Sequence, residues 1–454
     1  MGTQPRNGRV KISTYGPSFG LLLAWATIDA AVATYLSVYG ANVASTLLLL
    51  FGVVTFGLAC TSRAIQVADV WVPTLVLIAA HLMLAAVVPY RAEGSPPSDI
   101  YRAIPLVALG ALVAVAAAQI GLKRGPSAWM LALWVIIGCG IVYRIAIVAT
   151  DIAPPFDVPR IQTAAGQALL SATDPYLTSV YDSGYPYLPI SAVAAAIGET
   201  IGDARWMSVL GDVLTVAGIL IFANRAGAAR HLGLAMAALW AWWAGGFYVA
   251  WQDFPEPILI GLTVVAAAAL VGPRPRSVMG GLLLGLSAAT KQFGLGLLPF
   301  LPWRSNSGRR ALLVATVTWL VSVIPFALWH TPEFLEGTFL SHLTEPGRAY
   351  ALNLLNWPGF SLDLPLILVF PLAIVFGWLC QRRQRLPVAA WLAGSGGLLL
   401  LAFVLNRIAF VNYYAIPLAL ILLLILALDG SARAVHFASS TTDSSSRAEG
   451  AAEG

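Results

Sequence analysis

The sequence predicts an all-α polytopic membrane protein, and three observations predict it. Of 454 residues, 59% are hydrophobic and 10% charged, where a soluble domain carries roughly 25% charged residues. A chain this apolar cannot hide its surface from water by folding on itself. The apolar residues also fall into blocks near the length of about 20 residues that a helix needs to cross the hydrocarbon core. Many of the 15 Trp and 14 Tyr stand beside the ends of these blocks, where amphipathic rings anchor at the membrane interface.

In chain order the N-terminal segment 1–16 is basic, with Arg6, Arg9 and Lys11, and has no small-residue cleavage site, so the first helix is expected to stay on the chain. Apolar runs follow at 17–40, 42–62, 70–90, 104–122 and 128–150, and residues 17–150 are read as a transmembrane scaffold. The longest interruption comes next, from Asp151 to Arg205. Further runs lie at 206–224, 231–250, 255–272, 311–330, 363–380, 387–405 and 411–429. The stretch 277–303 is too long for one helix and is broken by Lys291-Gln292. It reads as two short segments meeting at Lys291, which brings the count to about fourteen membrane segments. Residues 206–429 thus form a second transmembrane module with several polar turns. The tail 430–454, small, polar and without periodicity, is expected to be disordered.

Orientation follows from the basic residues, which favour cytoplasmic loops. With both termini inside, most of the 26 Lys and Arg fall on the inner side and most of the 21 Asp and Glu on the outer side of a cytoplasmic membrane. If residues 187–201 crossed the membrane, every later basic loop would turn outward. They are therefore read as a helix lying on the outer surface, within the long loop. The three cysteines sit in or beside apolar runs, and neither they nor His81, His231, His330 and His436 show metal-ligand spacing, so no metal or cofactor is expected.

Polar residues in such a chain mark water or chemistry. The 151–205 loop carries Asp151, Asp157, Asp174, Asp182, Glu199 and Asp203. Asp174 precedes Pro175-Tyr176 and reads as a cap or turn residue. Asp151 could pair with Arg144, whereas Asp157 lies beyond two prolines, with Arg160 nearby. Asp212 and Arg205, two turns apart, read as a structural pair, while Asp29 has no evident partner. Trp242, Trp243, Tyr248 and Trp251 suit either a sugar-stacking cleft or an interfacial belt.

The run from Asp157 through Ala164-Ala165-Gly166 and Asp174-Pro175-Tyr176 to Tyr187-Leu188-Pro189 resembles the first large outer loop of the GT-C class of integral-membrane glycosyltransferases. More narrowly it resembles the polyprenol-phosphate-mannose-dependent mannosyltransferases. Two departures stand out: Ala172 occupies a position where the pattern usually has Gly, and five predicted helices precede the loop rather than one. Downstream, the segment around Lys291-Gln292, the turn with Asp253 and Glu256, the stretch with His342, Arg348, Asn353 and Asn356, and Asn406-Arg407 with Asn412-Tyr413 extend the resemblance over about residues 151–429.

The resemblance implies a GT-C-like bundle whose outer loop carries surface helices and the active site. It implies transfer of a hexose, mannose above all, from a polyprenyl-phosphate donor to an envelope glycolipid or glycan. Asp157 would be the catalytic base, with His342 assisting. Lys291, Gln292, Arg348, Arg407, Asp253, Tyr176, Asn412 and Tyr413 would bind substrate. The chemistry is coherent on its own terms: cations hold the anionic head of the donor, and a carboxylate takes the proton of the attacking hydroxyl. The bilayer is the other expected partner, and nothing suits nucleic acid. Two readings compete. A transporter or lipid-linked sugar flippase should show related halves and charges near the midplane, and a surface-polysaccharide ligase or polymerase should show a longer outer loop in the second half.

Overall fold

The computed structural model describes residues 17–38, 42–61, 70–87, 99–122, 127–150, 157–178, 180, 184–341, 351–354, 356–357, 360–361, 366–384, 386–406 and 409–452. Its helices are α1 (Pro17–Val38), α2 (Val43–Thr61), α3 (Trp71–Val87), α4 (Asp99–Leu122), α5 (Ser127–Thr150), α6 (Asp157–Leu170), α7 (Pro189–Thr200), α8 (Trp206–Ala226), α9 (Arg230–Trp242), α10 (Gly246–Trp251), α11 (Glu256–Leu270), α12 (Ser277–Ala288), α13 (Asn306–Trp329), α14 (Thr331–Leu335), α15 (Leu366–Gln381), α16 (Pro387–Val404) and α17 (Ala415–Ala452). Strand pairing among the described residues is limited to Asn356 with Ser361 and Trp357 with Phe360.

Eight helices among the described residues are long and apolar enough to cross a membrane, and four further apolar helices are shorter. The protein is thus a polytopic membrane protein. The second half of the 277–303 stretch differs from its expected form. Residues Gln292–Leu297 make a short 3-10 turn, not a second spanning segment. Gly294 and Gly296 weaken a helix there, and Pro299 and Pro302 end it. The turn folds back against α12, where a Cβ on Gly294 would stand 2.6 Å from the Ala288 Cα. The tail differs too: α17 runs on to Ala452, through residues expected to lack regular structure. Its extension beyond the apolar run is supported by the Asp429–Arg433 pair at 2.9 Å, one turn apart, and by Asp429 accepting the Ala229 N–H at 2.8 Å.

Burial separates the inner helices from the outer ones. In the most apolar 18-residue window of Val411–Val435, 94% of residues are buried, so this segment is the central post of the bundle. For Asn306–Trp329 the share is 17%, and Leu313, Val321 and Leu328 face outward as a lipid-facing side would. Helices α8 and α11 pack closely because both are small at the crossing. A Cβ on Gly211 would come within 2.3 Å of the Pro257 carbonyl carbon, and one on Gly261 within 2.7 Å of the Gly211 oxygen.

Buried charges tie the helices together, with partners other than those read from sequence. Asp212 pairs with Arg144 at 2.6 Å, not with Arg205. Arg144 also donates to the carbonyls of Gly140, Ala241 and Trp240, and the Trp240 indole donates to Asp212 at 3.0 Å. Arg205 instead holds Asp203 at 2.7 Å. Asp29 accepts the Ala244 N–H at 3.0 Å and pairs with His81, joining α1, α3 and the turn after α9. Asp151 lies outside the described residues. Trp242 and Trp243 form neither a cleft wall nor a belt: both are fully buried, and Trp242 donates to the Ile136 carbonyl at 2.8 Å.

The 157–205 segment has a hydrophobic core of its own. Val158, Ile161, Ala165, Tyr176, Tyr185, Tyr187, Leu188 and Ala192 pack with Val323 and Phe334 from α13 and α14. Helix α7, twelve residues long, is too short to span a bilayer and packs on α6. Their approach is close at Gly166, where a Cβ would meet the Ala195 backbone at 2.9 Å.

Between these helices Ala172 stands at φ 53°, a left-handed conformation that costs an L residue about 1–2 kcal/mol. The chain must reverse there to bring Asp174 to its cap. This is the position where the resembled pattern carries Gly. Replacing Ala172 with Gly is expected to stabilise the protein by about 1 kcal/mol, read as a higher thermal midpoint in detergent. A lower midpoint would show that the turn is not strained.

Candidate functional site

The loop is fixed to one end of the bundle by its backbone. Leu188 N–H donates to the Thr290 carbonyl at 3.2 Å, and Ile190 N–H to that of Ala289 at 3.0 Å. Pro189 starts α7 and cannot donate, so its neighbours carry the pairing. Gln292 closes the joint by donating to the carbonyls of Pro186, at 3.1 Å, and Thr338. Gln292, expected to touch substrate, is therefore a strut in this structure.

Tyr176 is a strut as well. It is buried, and its hydroxyl donates to the Tyr187 carbonyl at 2.9 Å. Asp174 caps the turn as expected, accepting the Tyr176 N–H at 2.9 Å, while its other oxygen lies 2.7 Å from His330 Nδ1. Gln162 links α6 to α7: it donates to Ser191 at 2.9 Å and accepts the Tyr185 hydroxyl at 2.8 Å. Glu199 accepts from Thr163 and Gln167 across the same pair of helices.

Below the loop lies a buried polar cluster. Lys291, three residues past α12, is extended, opens the 3-10 turn, and is only 5% exposed. Its ammonium lies 2.6 Å from Glu256 Oε1, and the Asn412 amide donates to the same oxygen at 2.8 Å. The Tyr187, Phe293 and Tyr413 rings surround the ammonium, with centroids 5.0, 5.0 and 4.6 Å away. Rings present negative faces to a cation and so help to hold a charge removed from water. Glu256 Oε2 and Asn412 Oδ1 are buried without a hydrogen-bond partner.

Asp157 opens α6 and is half-buried, with Oδ1 accepting the Val158 N–H at 2.9 Å. It stands within electrostatic reach of the cage. Burial pushes the Tyr187 phenol well above its ordinary value, and the charges of Glu256, Tyr413 and Asp157 add to the rise. Asp253 lies in the turn before α11 and is 4% exposed. Its backbone is left-handed, with φ 53°, and its Oδ2 has no hydrogen-bond partner. Burial, with Asp203 and Glu199 nearby, pushes this carboxyl well above the usual aspartate range, against the pull of Arg205 and Ser208.

The structure thus brings Lys291, Asn412 and Tyr413 together, with Asp157 close enough to influence the Tyr187 wall of the cage, and sets Asp253 at a neighbouring pocket. His342, Arg348 and Arg407 lie outside the described residues. Glu256 was not among the expected site residues, although it is the direct partner of Lys291. The signal was faint: a second acid in the Asp253 turn, between Pro255 and Pro257 at the head of an apolar helix and far in sequence from any cation. Among the described residues no three His, Cys, Asp or Glu side chains gather as a metal site. Comparisons with family models, with curated proteins and with solved structures give no match.

Proposed function

We propose that the protein is an integral-membrane glycosyltransferase. It moves a hexose, in the narrower reading mannose, from a polyprenyl-phosphate donor to an envelope glycolipid or glycan on the outer face of the cytoplasmic membrane. The observation that carries this reading is the buried Lys291, which lies at a helix break inside an aromatic cage and shares the Tyr187 neighbourhood with Asp157. A cation held out of water favours an anionic group far more than a solvated one does. The donor keeps its tail in lipid and brings its phosphate to Lys291, displacing Glu256. Asp157 takes the proton of the acceptor hydroxyl as that oxygen bonds to the anomeric carbon. The anomeric carbon–phosphate oxygen bond breaks, and its electron pair leaves with the polyprenyl phosphate.

The test is transfer of radiolabelled mannose from a synthetic polyprenyl-phosphate mannose to octyl α-mannoside by the full chain in nanodiscs. Asp157→Asn is expected to lower kcat by at least about 100-fold while leaving donor binding intact. Retained turnover in that variant removes the base assignment. A broken helix with buried charges also suits a carrier. Movement of the labelled lipid across liposomes, without transfer, would replace the enzyme with a transporter.

A further inference from the structure

Asp253 combines three features. Its backbone is left-handed, a conformation that Gly, Asn and Asp adopt more readily than other residues. Its carboxyl is buried with one oxygen unpartnered. It also lines a small, mostly apolar pocket whose few polar groups come from Gln162 and Ser191 of the loop helices, Ser208 of α8, and Thr290. The pocket has room for a water-sized group. Thr290 and Pro255 in its wall are the chain neighbours of Lys291 and Glu256, so it adjoins the caged ion pair. A buried polar group left unsatisfied beside a cavity calls for a partner.

We propose that Asp253 and this pocket form the seat for a single hydroxyl of a glycoside acceptor, next to the site taken by the donor phosphate. The assignment rests on the transferase reading for its substrate class. The carboxyl oxygen supplies the acceptor that the hydroxyl lacks, and Ser191 and Gln162, already bonded to one another, set the pocket's width. The raised affinity of the buried carboxyl for its proton suits a group that meets a neutral hydroxyl and not a cation. Asp253 is then a binding residue, and Asp157 retains the proton transfer.

The left-handed backbone makes the test selective. Asp253→Asn and Asp253→Gly both accept φ 53° and both remove a buried acid, so neither is expected to lower the thermal midpoint of the full chain in nanodiscs. Both are expected to raise KM for octyl α-mannoside at least tenfold while donor KM stays within twofold. Deoxy analogues of octyl α-mannoside, each lacking one hydroxyl, provide the second measurement. One of them should lose as much in the wild type as Asp253→Asn loses with the full acceptor, and lose nothing further in that variant. Equilibrium binding of octyl α-mannoside, measured without donor, reads the same seat if no transfer occurs, so the transferase can fail while the seat stands. Unchanged acceptor KM and binding in both variants would overturn the proposal and leave the pocket to an ordered water. So would a wild type that neither binds nor glycosylates octyl α-mannoside.

Discussion

Arg144→Ala is expected to destabilise the protein by about 3–5 kcal/mol, because it leaves the Asp212 carboxylate buried without its counter-charge. The loss is not confined to one pair. Arg144 holds the carbonyls of Trp240 and Ala241 at the end of α9, and its guanidinium lies 4.8 Å from the Phe247 ring centre. No other described donor but the Trp240 indole reaches Asp212. The thermal midpoint in nanodiscs, followed by tryptophan fluorescence, should therefore fall steeply. Asp212→Asn should cost less, since the amide still accepts from Arg144 and the arginine keeps its carbonyls. Removing both charges, in Arg144→Met with Asp212→Leu, should recover much of the loss, as buried pairs are often replaceable by packed apolar side chains. A double variant as unstable as Arg144→Ala would show that the hydrogen bonds to α9, not the charge balance, hold this joint.

The same pair shows which parts of the fold were legible. Apolar blocks of spanning length needed only composition, and α1, α2, α5, α8 and α16 stand where those blocks lie. Capping was legible where it is local: Asp174 before Pro175 carried its own turn. Charge partners were not, because helices far apart in sequence meet in space. Asp212 has Arg205 two turns back, but Arg144 reaches it from another helix, and Arg205 turns to Asp203 two residues away. Asp29 had no partner in the sequence for the same reason; His81 lies on α3. In the loop, residue type alone could not separate struts from site. Tyr176 and Gln292 read as polar groups available to substrate, yet both bond backbone carbonyls that fix the loop to the bundle. Lys291 was legible as an anomaly because few cations interrupt this apolar module, whereas Glu256 could be named in its turn but its pairing with Lys291 became visible only once α11 and α12 were packed side by side.

That pairing sets opposite expectations for its two members. Lys291→Met leaves Glu256 fully buried, with only Asn412 donating to it among the described residues, and is expected to cost about 3–5 kcal/mol. It should also abolish binding of farnesyl phosphate, a short stand-in for the donor's lipid-phosphate end. Glu256→Gln leaves the ammonium inside three aromatic rings, which partly compensate a lone cation. Its cost in stability should be smaller. Because Glu256 competes with phosphate for Lys291, the same change should tighten farnesyl phosphate binding about tenfold, or roughly 1.4 kcal/mol. The double change Lys291→Met with Glu256→Met separates fold from function: it should restore the thermal midpoint toward wild type without restoring binding. Wild-type binding in Lys291→Met would remove Lys291 from the donor site. Unchanged or weaker binding in Glu256→Gln would mean that phosphate never displaces the carboxylate, and that the pair only joins α11 to the break after α12.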